Sequence, residues 1–317
     1  MPRVRCALSG ALAIATALVL AGLLPSMSFA QSVAFTIKDG RIVSSSGLAR
    51  DVNAELYWTA NESDDRGVVY GLTTSGAVRG TLNYRTKPVD VEALAVVNDT
   101  LYVGDIGDRT RSRSFVTVYR FDNPRATGLT VTYRSYDFEF SDGPKNAETL
   151  LVTDSGRILL VTAGRSAAIY AGPRQPSRQV INRLTKVADA PAGITDGAFM
   201  PGGKQIALRS NTTVYVLDAA SYETVASAEL STQPKGKSLA ISLDGESLLL
   251  GSQGPNATVY TVPVPTRATP SPSPSTEPDG ETEEATGTGR RGTMLALGLA
   301  AVVAVVAGVL AAAIHDR

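Results

Sequence analysis

Five stretches of the 317-residue chain repeat one plan, and this repetition constrains the fold more than any other feature. Each stretch has a small or polar pair, an apolar strand, a turn, and then two further apolar strands. "EALAVVNDTLYVGDIGDRTRSRSFVTVYRF" and "KSLAISLDGESLLLGSQGPNATVYTVPV" are two of them. The aligned starts are Ser46, Glu92, Glu148, Asp196 and Lys237, at intervals of 46, 56, 48 and 41 residues. The turns "NDT", "TDSG", "PGG" and "LDGE" fall at one place, between first and second strands. Asn, Asp and Gly suit tight hairpins there because they accept positive φ. Val, Thr and Tyr alternation makes the region all-β. A period of about 45 residues with three or four strands per unit is that of a β-propeller. Five blades are visible, with room for a sixth, degenerate one in the longer 92–148 interval. A β-sandwich is the alternative, but it gives no reason for five matched units. The last repeat has three strands, and "VAFTIKDGRIV" (33–43) supplies an unassigned strand to complete it.

The ends of the chain have a different character. Residues 1–30 carry two arginines, an apolar run and small residues at Ser28 and Ala30, which predicts a cleaved signal peptide, the alternative being an uncleaved anchor. Cys6 is the only cysteine, so residues 31–317 offer no thiol chemistry. Residues 293–314 form an uncharged run of 22, long enough for a transmembrane helix, with 315–317 as a short cytoplasmic tail. Between them, 265–292 alternates Pro with Ser and Thr and then turns acidic, the composition of a disordered stalk. The expected protein is therefore exported, single-pass in the plasma membrane, with its propeller (31–264) on the extracytoplasmic side. That domain is close to electrically neutral, which argues against nucleic acid as a partner.

"VEALAVVNDTLYVGDIGDRTRSRSFVTVYRFDNP", with "TANESDD" before it and "SDGPKNAETLLV" after it, resembles uncharacterised secreted propeller proteins of actinobacteria. These belong loosely to the phytase-like and strictosidine-synthase/lactonase-like propeller group. The resemblance covers most of residues 45–262 and is most specific over 91–148. It implies the fold and an extracytoplasmic location, and it leaves the activity open.

Three places carry candidate chemistry. Glu92, Glu148 and Asp196 share one slot in successive repeats, each just before its first strand. In a propeller such slots converge on one mouth of the central channel, where three carboxylates opposite Lys237 suit calcium or another divalent cation. A metal held there activates water, as lactonase-like propellers do with channel acids and amides. The alternative is that these acids cap loops. In "NESDDRG", Asn61 and Asp65 sketch an oxygen-rich calcium loop without its distal glutamate, and an ordinary turn is the other reading. In "GDIGDRTRSR", Arg109 stands among alternating arginines that suit an anion, as solvated Asp/Arg pairs also would.

Other chemistries are excluded by residue type. The only histidine, His315, lies in the tail, so a Ser-His-Asp triad and His-ligated zinc have no support. No glycine-rich phosphate loop precedes a helix, which removes nucleotide binding. Two functions remain: a membrane-anchored binding or scaffold module for an envelope protein or glycan, and a metal-dependent hydrolase of esters, lactones or phosphoesters. In the second, Glu92, Glu148 and Asp196 hold the ion and Lys237 or Arg109 steadies the developing negative charge.

Overall fold

A computed structural model describes residues 31–266 except 232 and 234. The expected signal peptide (1–30), most of the expected stalk and the expected span at 293–314 lie outside the described residues. Among those described there is no helix long and apolar enough to cross a membrane. The region is all-β, with 21 strands.

The chain opens with β1 (Ser32–Thr36) and then forms antiparallel sets of four. The first set is β2 (Ser45–Asp51), β3 (Leu56–Asn61), β4 (Gly67–Leu72) and β5 (Val78–Tyr84). The second is β6 (Val91–Val97), β7 (Thr100–Asp105), β8 (Val116–Asp122) and, after the two-residue β9 (Thr130–Val131), β10 (Arg134–Phe140). The third is β11 (Ala147–Val152), β12 (Ile158–Thr162), β13 (Ala168–Ala171) and β14 (Asn182–Asp189). The fourth is β15 (Asp196–Phe199), β16 (Gln205–Arg209), β17 (Thr213–Asp218) and β18 (Thr224–Glu229). The fifth is β19 (Gly236–Ile241), β20 (Ser247–Ser252) and β21 (Thr258–Pro263), and its fourth strand is β1, antiparallel to β21. The expectation that the N-terminal strand completes the last repeat is met, and the pairing covers what would be an exposed edge.

The long interval between Glu92 and Glu148 holds no sixth set among the described residues. It is occupied by the loop after β7 and by β9, which pairs in parallel with β5 of the preceding set. A second parallel pairing, β10 with β14, fuses the second and third sets into one eight-stranded sheet. The two ends of that sheet, β6 and β11, return into contact.

The first strands of the sets adjoin one another in a closed circuit: β2 with β6, β6 with β11, β11 with β15, β15 with β19, and β19 with β2. Five apolar layers follow the same order, each filling the space between consecutive sets. Trp58, Leu82 and Phe121 pack between the first and second. Phe138, Leu160 and Leu184 pack between the second and third, and Leu159, Ile206 and Leu208 between the third and fourth. Leu239 and Leu250 meet Ala207 and Val214 between the fourth and fifth, while Phe35, Tyr57 and Val259 close the fifth against the first. Alternation along each strand sends successive side chains into the layers on either side, which is why the repeats read as nearly continuous apolar runs.

Local turn chemistry fits the sequence reading. Asn98 and Asp99, at φ 48° and 55°, form the two-residue connection between β6 and β7, the type I′ geometry that matches strand twist. Gly245, at φ 85°, serves the corresponding turn between β19 and β20.

Candidate functional site

Four of the five aligned slots are the second residue of a first strand, and the fifth, Asp196, is the first residue of β15. What the side chains do there depends on the strand register. At Glu92, Glu148 and Lys237 the ladder slips, between Val91 and Ala93, Ala147 and Thr149, and Gly236 and Ser238. Each of the three is thus the extra residue of a bulge, left out of the pairing and free to turn toward the centre of the circuit. Asp196 is paired in register with Arg209 and does not turn.

The three bulged residues meet. Lys237 Nζ forms ion pairs with Glu92 Oε2 and Glu148 Oε2 and stands 3.7 Å from Glu62 Oε1. Ser46 Oγ donates to Glu92 Oε2 at 3.3 Å and to its backbone carbonyl at 3.0 Å. On the other side, Asn146 Nδ2 donates to Glu148 Oε1 at 2.8 Å while its Oδ1 accepts from the backbone N–H of Asp108 at 2.6 Å. The line Ser46–Glu92–Lys237–Glu148–Asn146 therefore ties the first, second, third and fifth sets together at one end of the circuit.

All three charged members are buried, Glu92 to 1% exposure. One ammonium faces three carboxylates, and the proton balance adjusts. Burial, joined by repulsion from Glu148, pushes the Glu92 carboxyl up to about 8 despite the attraction of Lys237. Burial also works against the Lys237 ammonium, but Glu92 and Glu148 together outweigh it and hold its pKa above the ordinary lysine value. Near neutral pH the cluster thus holds a lysine cation beside a protonated Glu92.

A glutamate whose folded pKa of about 8 exceeds its ordinary value of 4.5 contributes stability that is full below pH 4.5 and lost as pH rises through 8. Each pKa unit is worth about 1.4 kcal/mol. Urea unfolding at intervals from pH 5 to 9 should show stability falling across this window. Glu92→Gln, which keeps the shape of the protonated acid, should remove that part of the slope. An unchanged slope would show that Glu92 does not hold its proton.

Asp196 is placed apart from this cluster. Its Oδ1 accepts from the N–H of Gly197 at 2.8 Å and its Oδ2 from that of Leu239 at 2.7 Å, so it pins β15 to β19. Burial holds its carboxyl well above the usual range. Of the three acids expected to share an ion, two converge and the third is committed to backbone. Among the described residues, no three Asp, Glu, His or Cys side chains are arranged to hold a metal ion. For Glu92 and Glu148 the place between them is filled by Nζ.

The other sequence candidates are likewise accounted for by local contacts. Asn61 Oδ1 accepts from the N–H groups of Val43 and Ser44, and its Nδ2 donates to Arg41 O at 2.9 Å and to Asp64. Asp65 points into solvent opposite Lys87. These two do not converge. Asp105 accepts from the N–H groups of Val89 and Asp90 and from Arg113, and Asp108 accepts from those of Ser112 and Arg113. Arg109 is exposed and makes no ion pair among the described residues.

Glu62 was not singled out by the sequence, although it stands next to Asn61, directly after the second strand of its set. A second buried charge was also missed. Arg209, wholly buried, donates to the carbonyls of Ser210, Ser238 and Gly251 and to Gln233 Oε1, at 3.1–3.2 Å. Burial draws its pKa down to about 10, against the attraction of Asp196.

Two cavities open beside the circuit of first strands. One, of about 290 Å³, is walled by the far ends of these strands, among them Ala49, Val97, Val152 and Ile241. The other, of about 320 Å³, lies beside Glu148 and Lys237. A scan of the chain against protein-family models finds no match, and a search of curated proteins finds no similar sequence.

Proposed function

We propose that the chain is a membrane-anchored, exported protein whose outer region is a five-bladed β-propeller acting as a binding module at the cell envelope. Five four-stranded sets, a closed circuit of first strands and an N-terminal strand completing the last set support the blade reading. The resemblance of residues 91–148 to secreted propellers, the apolar leader and the run at 293–314 support export and anchoring. The first strands would then line the channel, with the Glu92–Lys237–Glu148 cluster at one mouth.

The observation that carries the choice between binding and hydrolysis is the position of Lys237 Nζ. A hard cation needs oxygen ligands at about 2.3–2.6 Å around one point, and here that point is held by a tethered ammonium. Such a cluster braces the ring and supplies no Lewis acid, so the function falls to the loops that a rigid ring presents. The metal-dependent hydrolase would require Lys237 to withdraw from both glutamates. Calcium titration calorimetry on the full-length chain in detergent should therefore give no binding that depends on these acids. Micromolar binding abolished by Glu92→Gln/Glu148→Gln would replace this reading with the hydrolase.

A further inference from the structure

The cavity of about 320 Å³ beside Lys237 is built from connections of four different sets. Arg109 comes from the loop after β7, Thr195 from the approach to β15, Asn211 from the turn after β16, Lys235 from the approach to β19, and Gln253 from the turn after β20. Its volume lies at the lower end of the range for small-molecule sites, about 300–1,000 Å³.

The polar groups around it are unspent. Arg109 and Lys235 are exposed and form no ion pair among the described residues, whereas the third cation of the wall, Lys237, is fully engaged. The side-chain amides of Asn211 and Gln253 likewise make no hydrogen bond within the described residues. Among the described residues, Thr195 Oγ1 in the wall is one of four buried side-chain polar atoms without a hydrogen-bond partner. An unpaired buried polar atom costs about 1–3 kcal/mol, which is tolerated where a ligand group completes it.

The chemistry of the wall selects the ligand. Two free cations in the wall ask for a carboxylate. Amides and a hydroxyl ask for several hydroxyl groups, which both donate and accept. No aromatic side chain lines the cavity, so there is no platform for a flat ring. A saturated, polyhydroxylated acid meets each requirement. Resting on the binding-module reading, we propose that this cavity holds the terminal uronic acid of an envelope glycan. Its carboxylate sits between Arg109 and Lys235, and its hydroxyls face Thr195, Asn211 and Gln253.

The test is isothermal calorimetry on the full-length chain in detergent, titrated with methyl β-glucuronide, methyl β-glucoside and acetate. The glucuronide should bind at least about tenfold more tightly than either control, since one charge-assisted pair of contacts and the hydroxyl contacts are lost in turn. Arg109→Gln/Lys235→Gln should weaken it by a similar factor. Both side chains are exposed, so the melting temperature of this variant should match the parent's, separating lost binding from lost folding. Equal affinity for glucuronide and acetate, or a double variant that binds unchanged, overturns the assignment. A calcium titration on the same sample separates the two levels of the reading. If calcium stays out and the glucuronide fails, only the uronate falls; if calcium enters at Glu92 and Glu148, the binding-module reading falls with it.

Discussion

Lys237→Met should destabilise the protein by about 3–5 kcal/mol at pH 8, read from urea unfolding. Removing one partner of a buried ionic cluster leaves the remaining charge uncompensated in a medium that cannot solvate it. Glu148 and Glu92 would then share a buried site with no cation, and Glu62 would lose its nearest positive charge. Two further results distinguish this from ordinary loss of packing. The penalty should shrink toward pH 5, because Glu92, whose carboxyl burial raises to about 8, is then fully protonated and needs no counter-charge. The triple variant Lys237→Met/Glu92→Gln/Glu148→Gln should recover most of the stability, since neutral groups of similar volume often replace a buried ion cluster at little cost. A single variant with a small, pH-independent loss would mean that the ion pairs do not form.

Arg209→Met should be nearly as severe, at about 3–5 kcal/mol. Met restores apolar volume but donates nothing. Hydrogen bonds to a charged group contribute about 1.5–3 kcal/mol each, and four are lost, though such losses do not add fully. The acceptors on Ser238 and Gly251 belong to β19 and β20, so the guanidinium ties the fourth set to the fifth. Gly236 makes room for it: a Cβ there would lie 2.0 Å from Arg209 Nη2. Unlike the lysine variant, this one should not be rescued at pH 5, because the lost partners are carbonyls that do not titrate. Thermal unfolding at pH 5 and pH 8 checks this.

These two sites also mark the limit of what the sequence discloses. The repeat plan was legible because side-chain alternation and turn chemistry are local. The five aligned starts fall within one residue of the same strand position, and the free N-terminal strand pairs with β21 as expected. Strand register is not local. A bulge at Glu92, Glu148 and Lys237 but not at Asp196 depends on how each first strand meets its neighbour. Sequence spacing alone therefore gave three equivalent acids with a lysine opposite. The structure gives two acids gripping the lysine, and a third turned onto the N–H of Leu239. Arg209 ends the second strand of its set and Glu62 directly follows one, where no repeated slot drew notice. The parallel pairings of β9 and β10 join segments whose sequences carry no signal for one another, β9 being two residues long.

A tethered cation, Lys237 Nζ, braces the circuit of first strands where a metal-dependent enzyme would keep its ion. A crystal structure of the protein grown in millimolar calcium tests it most directly. Density for Lys237 Nζ between Glu92 and Glu148, with no anomalous scatterer there, is the predicted result. A calcium ion bound by both glutamates, with the lysine swung away, would contradict it.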